Sequence, residues 1–265
     1  MAHQDMKFDG DYLEREFHTI SAKLDAGATI EDLSPVKVYR HRSVARAMAA
    51  RLAGRANASI LEIGVGGSLV VHEASKLGLA CHAVDANPNM VAYTRRLGQA
   101  YGSNVTVEEA DAFKLPYADG QFDLVFSVGM LEHYSPEDQL LLVREHARVS
   151  RGWVEIDVPN EGPDSSIHFL IKDHEDTHLD TDFVKLATDA GLVDLELGGR
   201  GMFCPQFGTE QNSPAYQAFV RERFPELWKD MSAVDIDPLV QAESETTHEE
   251  RMRYGSIHYF IGRVA

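Results

Sequence analysis

Segments with strand-like and helix-like patterning alternate through most of this 265-residue chain, which predicts an α/β fold with a mostly parallel sheet covered by helices on both faces. Three observations carry that prediction. Short runs rich in β-branched residues recur, and the first, Ile60-Leu61-Glu62-Ile63, breaks into Gly64-Val65-Gly66-Gly67-Ser68. Helix-opening Asx-Pro or Ser-Pro pairs stand between the runs. The glycine break leads directly into a helical pattern from Leu69 to Leu77, as a strand feeding a tight turn and a helix N-terminus should.

The elements follow in order. Residues 11–25 place Tyr12, Leu13, Phe17, Ile20 and Leu24 on one apolar helical face. A second helix starts with Ser34 as N-cap and Pro35 in its first turn, runs to about Leu52, and is stopped by Gly54. Strands are expected near 59–63, 80–84, 104–108, 122–127 and 153–158. Helices are expected near 69–77, 88–101, 136–149 and 181–190, opened by Asn87-Pro88 and Ser135-Pro136, with Asp180 or Thr181 capping the last. Leu192–Leu197 and Tyr254–Ile261 read as the sixth and seventh strands. About 50 residues lie between them, far more than a hairpin loop of roughly 2–5. That insert holds a helical pattern from Pro214 to Met231 and an acidic tract with Asp235, Asp237, Glu243, Glu245, Glu249 and Glu250. Its aromatics, among them Phe203, Phe207, Tyr216, Phe219, Phe224 and Trp228, argue for an ordered cap over the substrate pocket or an oligomer contact.

The glycine turn restricts the ligand. A dinucleotide fingerprint needs glycine at position 69, where the chain has Leu69, and no Gly-Lys-Ser/Thr follows for a P-loop. Glu62 would repel a pyrophosphate and suits an ammonium or sulfonium. Asp85 ends the apolar run Ala80-Cys81-His82-Ala83-Val84, about 20 residues on, where an acid grips ribose hydroxyls. The ligand expected is one with a ribose, without phosphate, and with positive charge.

Composition sets further limits. The length suits one large α/β domain. A formal charge of −17 without a basic footprint disfavours nucleic acid as partner, since Arg40, Arg42, Arg46 and Arg51 read as a solvated helix face. No apolar run approaches about 18 residues, so no membrane span is expected. The N-terminus has no secretory pattern, and Cys81 and Cys204 are the only cysteines, so a cytoplasmic protein without disulfides is expected.

At this point the chain resembles the class I S-adenosylmethionine-dependent methyltransferases of small-molecule type. Glu62–Ser68 is similar to the family's first motif, Asp85 to its ribose-binding acid, and Ala110-Asp111-Ala112-Phe113 to the segment after the third strand. Phe122–Ser127 with Met130-Leu131-Glu132-His133 resembles the fourth strand and its sequel, and Trp153–Asn160 the fifth strand. This chain departs from the family pattern in one place, a helical cap insertion between the last two strands, which are normally joined by a short connection. Otherwise the resemblance implies a Rossmann-like seven-stranded, mostly parallel sheet with an antiparallel last strand. It divides the chain into an N-terminal helical lid (1–35), an α/β core (36–200), a cap (201–253) and the core's last strand (254–265). It implies S-adenosyl-L-methionine as cofactor and S-adenosyl-L-homocysteine as product.

The resemblance also assigns roles. Gly64 and Gly66 would approach the methionine portion, with Glu62 near its ammonium, and Asp85 would accept from both ribose hydroxyls. Ala86 and Asn87 would flank the adenine, Asp111 would take its amino group with Ala112 and Phe113 alongside, and Ser127 and Val128 would face the methyl group. Tyr39 is placed at the cofactor carboxylate, although packing explains a helix-face aromatic nearly as well. Tyr12, Phe17 and Met130 are the candidate acceptor contacts. His133 is the candidate general base and a further acceptor contact, with a loop-fixing hydrogen bond as its alternative role. His174 and His178, spaced for one helix face, could with His168 bind a metal. The acidic residues between them suit a solvated loop as well, and no third ligand is fixed by the sequence, so no metal is assigned. Cys204 reads as a buried turn residue.

The activity expected is methyl transfer to nitrogen or oxygen of a small molecule. Alternatives on the same scaffold are C-methylation, a lyase or cyclase using the sulfonium, or a non-catalytic cofactor-binding module. Homo-oligomerisation is left open.

Overall fold

The computed structural model describes residues 10–28, 35–167, 182–203, 212–229 and 235–265. Seven strands form one sheet in the order β3-β2-β1-β4-β5-β7-β6. These are β1 (Ser59–Ile63), β2 (Ala80–Asp85), β3 (Val105–Glu109), β4 (Phe122–Val128), β5 (Ser150–Pro159), β6 (Leu192–Arg200) and β7 (Ile257–Val264). The first five run parallel, and β7 lies antiparallel between β5 and β6. The order reverses at β1, between β2 and β4, which is where open α/β sheets leave a crevice at their strand ends.

The helices are α1 (Gly10–Asp25), α2 (Pro35–Arg51), α3 (Val70–Lys76), α4 (Pro88–Tyr101), α5 (Pro136–Val149), α6 (Phe183–Asp189), α7 (Pro214–Arg223), α8 (Pro225–Lys229), α9 (Ile236–Ser244) and α10 (His248–Tyr254). Strand alternation sorts the core into two layers. Leu61, Ile63, Val154, Ile156 and Val158 pack with Leu142 and Val143 of α5 and Leu186 of α6. On the other face Ile60, Leu124 and Phe126 pack with Val44, Ala45 and Met48 of α2, Val70 and Val71 of α3, and Val91 of α4. Strands buried on both faces explain why their sequences read as nearly continuous apolar runs.

Local chemistry sets most boundaries. The Asn87 side chain accepts from Asn89 N and Ser135 Oγ from Asp138 N, each with proline at the first helical position. Asp182, accepting from Lys185 N, caps α6, in place of the expected Asp180 or Thr181, which lie outside the described residues together with Ser34.

The insert differs from its sequence pattern. The single helix expected from Pro214 to Met231 is two, because Pro225 has no amide to give and displaces Phe224 from helical geometry (φ −135°, ψ 63°). The acidic tract is helical in α9 and α10, where Thr247 and Glu250 form a reciprocal capping box. Tyr254, expected to begin the last strand, ends α10 instead, and β7 starts at Ile257.

The cap has its own core of Met202, Phe203, Tyr216, Val220, Phe224, Leu239 and Tyr254, into which α2 inserts Tyr39. Glu243 fastens the joint. Its carboxylate accepts from Tyr39 Oη (2.6 Å), Ser43 Oγ (2.7 Å) and Gly201 N (2.5 Å). Asp237 adds an ion pair to Arg46 at 2.7 Å.

At the opposite end of the sheet, buried Asp123 accepts from Arg151 Nη2 (2.6 Å) and Nε (3.0 Å), Arg55 Nη1 (3.0 Å) and Ser59 N (2.9 Å). The Arg151 guanidinium, followed by the Ser59 amide and Arg55, holds this carboxyl well below its usual value of 3.8, against the opposing pull of burial. A depressed carboxylate pKa contributes stability above the unfolded value and loses it as pH falls through the folded one. Asp123→Asn is therefore expected to cost about 2 kcal/mol at neutral pH, a value reduced by the half-exposed arginines. The cost should shrink below about pH 4, as urea unfolding of both proteins across that range would show.

Candidate functional site

After β1 the backbone turns through Gly64 (φ 68°) and Gly66 (φ 44°), left-handed geometry that disfavours any side chain. The amides of Gly64 and Val65 both donate to Val84 O, at 2.9 and 3.1 Å, so the end of β2 holds the turn open. A Cβ on Gly64 would lie 2.6 Å from Met130 Sδ. The turn and the segment after β4 therefore touch only because position 64 has no side chain.

Asp85 closes β2 facing this turn. Its Oδ2 accepts from Gly66 N at 2.9 Å and its Oδ1 from Asn87 N at 2.8 Å. Burial raises its pKa, and these amide bonds oppose the rise. Each oxygen keeps a lone pair for a hydroxyl donor. Ala110 N donates to Asp85 O at 3.1 Å, which brings the segment after β3 alongside. There exposed Asp111 accepts from Phe113 N at 2.9 Å. Phe113 meets Tyr134 edge-on, centroids 5.5 Å apart. The Tyr134 hydroxyl is pushed up to about 12 by burial, with Asp85 and then Asp111 adding to it.

Glu62 is fully buried, and neither carboxylate oxygen has a donor in good hydrogen-bond geometry among the described residues, although the Ser68 hydroxyl and the Val71 amide face it. Burial pushes its pKa up to about 8, with Ser68 and Val71 nearby pulling the other way and Asp157 and Asp85 adding to the rise. An unpaired buried carboxyl stays neutral until a cation reaches it.

Beyond β4, Gly129 (φ 65°) donates to Asp157 O at 2.9 Å, and Leu131–His133 forms one 3-10 turn. Ser127 is buried and Met130 nearly so. The His133 imidazole is partly exposed, with Nε2 3.9 Å from Glu132 Oε1. Glu132 is itself buried, and that burial pushes its carboxyl up to about 8.

Residues 60–152 match the family model described as a methyltransferase domain. A stretch of 95 residues is 35% identical to ajmaline N-methyltransferase of Rauvolfia serpentina, covering 35% of this chain and 32% of that protein. The chain thus matches about a third of the length of the curated relatives. Over residues 60–152 the chain carries a methyltransferase domain similar to those of the class I S-adenosylmethionine-dependent enzymes. Solved structures extend the likeness of fold beyond the matched stretch. A chain of the complex between the Haloferax volcanii Trm112 methyltransferase activator and its methyltransferase superposes with a TM-score of 0.56 at 18% identity, covering 95% of this chain and 97% of that one. Magnesium protoporphyrin IX methyltransferase of Synechocystis, solved with S-adenosylhomocysteine, gives 0.51 at 14% identity over 85% and 84% of the chains.

The family's cofactor is S-adenosylmethionine. The residues present fit it: a glycine turn lets backbone approach, an orphaned buried carboxyl meets positive charge, and Asp85 retains acceptor capacity. Of the expected contacts, the structure brings together Glu62, Gly64, Gly66, Asp85, Ala86, Asn87, Asp111, Ala112, Phe113, Ser127, Val128, Met130 and His133 around the strand ends of β1 to β4. The Asn87 side chain is used as a helix cap. Tyr39 is different, because its hydroxyl is committed to Glu243 inside the cap core. Tyr12 and Phe17 lie on α1, with side chains outside the described residues, as are His168, His174, His178 and Cys204. Among the described residues no group of three His, Cys, Asp or Glu could hold a metal, and no helix is long and apolar enough to cross a membrane.

Tyr134 and Asp157 were not among the sequence candidates. Tyr134 had no periodic signal. Asp157 had one, since Glu155 and Asp157 alternate with apolar residues along a strand buried on both faces.

Asp85→Ala should weaken S-adenosylmethionine binding by about 10- to 100-fold through two lost hydrogen bonds and two released amides, measured by titration calorimetry. Cofactor affinity should also rise with pH up to about 8 and then level off, because the cation favours ionised Glu62. Proton release on binding, read from calorimetry in buffers of different ionisation enthalpy, checks this, and Glu62→Gln should abolish the release.

Proposed function

We propose that this protein transfers a methyl group from S-adenosylmethionine to a nitrogen or oxygen atom of a small molecule. The observation that supports this most is the orphaned, fully buried Glu62 beside an open glycine turn and an amide-anchored Asp85. A cationic nucleoside satisfies all three. The N-methyltransferases among the relatives, which act on ajmaline and norajmaline, agree with a small-molecule acceptor.

When bound, the cofactor supplies an electrophilic methyl group on a sulfonium. The chain's own work is binding, orientation and exclusion of water. In this reading Asp85 grips the ribose hydroxyls. Asp111, Ala112 and Phe113 flank the adenine, with Tyr134 closing over them. Glu62 meets the methionine ammonium, and Ser127, Val128 and Met130 stand where the methyl group faces its acceptor. His133, on the turn after β4, takes the proton that the acceptor must lose. Its Nε2 stands 3.9 Å from Glu132 Oε1.

Residues 1–35 and the cap at 201–253 are assigned to the acceptor side, where Tyr12 and Phe17 would close the pocket. A reducing, cytoplasmic setting suits the buried Cys81 thiol, which burial pushes up to about 12 and keeps inert.

Mass spectrometry of acceptor panels incubated with S-adenosylmethionine tests the activity, and calorimetry with S-adenosylmethionine and NAD tests the cofactor. Micromolar binding of the sulfonium with none of NAD is expected. His133→Ala should lower turnover about 100-fold with cofactor affinity unchanged. A small loss would leave His133 as a loop-fixing residue.

A further inference from the structure

The sheet face covered by α2 and α3 carries charge that the cofactor contacts leave unused. Register sets the positions. Glu62 pairs with Phe126, Val128 follows two residues later on the same face, and Val128 pairs with Asp157. Asp157 is therefore level with Gly64 and on the same side of the sheet as Glu62. Glu155, one pleat below, pairs with Phe126.

From β6, Arg200 reaches across the Tyr259 ring, its guanidinium carbon 3.9 Å from the centroid. It contacts Glu155 Oε1 at 2.6 Å and Asp157 Oδ2 only at 3.8 Å. Asp157 is 1% exposed, neither carboxylate oxygen has a donor in good hydrogen-bond geometry among the described residues, and its carboxyl faces that of Glu155. Its backbone is tied down, because its carbonyl accepts from Gly129, the first residue of the segment that carries Met130 and His133.

A buried ion cluster kept only for stability should satisfy its lone pairs, because an unpaired buried charge costs several kcal/mol, on the order of 3–5. Glu155 has the short contact with Arg200, and Asp157 is left with the long one. The charged groups around Asp157 are Glu155 on its own strand, Arg200 on β6, Arg40 on α2 and Glu62 on β1. With Glu62 met by the methionine ammonium, Asp157 is the carboxyl of this group that no cation among the described residues reaches closer than 3.8 Å.

We propose that Asp157 is the counter-charge of the acceptor subsite and selects acceptors that carry a cationic amine. This rests on the methyl-transfer reading above. An ammonium brings up to three N–H donors to the two vacant oxygens, where an alcohol brings one and leaves the charge uncompensated. An anionic acceptor would be repelled. Burial first, and then Glu155, push the Asp157 carboxyl up to about 7, with Arg200 opposing. The preference for a cation should therefore be full above that pH and fade below it. Asp157 holds the amine and takes no part in the bond changes.

The test uses the full chain loaded with S-adenosylhomocysteine and titrated calorimetrically with phenethylamine and, separately, 2-phenylethanol, which match in shape and differ in charge. At pH 8 the amine should bind about tenfold more tightly than the alcohol. Asp157→Asn should remove that difference while leaving the affinities for the alcohol and S-adenosylhomocysteine unchanged. Equal affinities for the pair, or an amine preference that survives the substitution, would overturn the proposal. So would a parallel loss of S-adenosylhomocysteine affinity, which would make Asp157 a cofactor contact. If the variant does not fold, the wild-type protein decides: the preference must fade between pH 8 and pH 6, and a constant preference refutes the role. Failure of the wild-type protein to bind S-adenosylhomocysteine would instead refute the methyl-transfer reading itself, and this inference with it.

Discussion

Everything at the functional end of the sheet depends on how β1 stops. The amides of Gly64 and Val65 share one acceptor, Val84 O, so the chain leaves the sheet while still attached to β2. Left-handed φ values at Gly64 and Gly66 then carry it into α3, and the missing Cβ at Gly64 lets Met130 close against the turn from β4. A side chain at position 64 would strain the turn and push apart the two segments that a cofactor must bridge. Asp85 is oriented by the same turn, through Gly66 N, so the acid and the glycines form one unit.

Around that turn the structure concentrates carboxyls in a way that stability does not explain. Glu62, Glu132 and Asp157 are all buried, each has at least one oxygen without a hydrogen bond, and each is displaced upward by burial. Asp123, at the far end of the sheet, shows the contrast: equally acidic, surrounded by donors, and displaced downward. The protein thus has the means to satisfy a buried acid and applies them away from the crevice. Carboxyls left wanting beside the topological switch point are what a cationic ligand requires.

Much of the fold was legible from local pattern. The strand positions, the helices opened by Asn87-Pro88 and Ser135-Pro136, the glycine turn and the ribose-type acid follow from periodicity and turn chemistry that act within a few residues. The mistakes fall where a neighbour decides. Pro225 splits the cap helix, a local signal outweighed by the apolar spacing around it. Tyr254 looks like strand, yet it packs into the cap core with Tyr216 and Phe219 and ends a helix. Tyr39 suits a cofactor contact by its place upstream of the turn, but a carboxylate 204 residues away takes its hydroxyl.

By itself, then, the sequence determined the class of fold, the crevice and the charge of its ligand. Those depend on backbone geometry and on residue types at short spacing. Only the tertiary structure decided which acids are satisfied, because the answer depends on donors from distant strands: Arg151 and Arg55 hydrogen-bond Asp123, while Arg200 comes close to Glu155 and leaves Asp157 at 3.8 Å. Hydrogen bonding and burial are properties of assembled neighbours, and no spacing along one strand records whether a partner will arrive from the next.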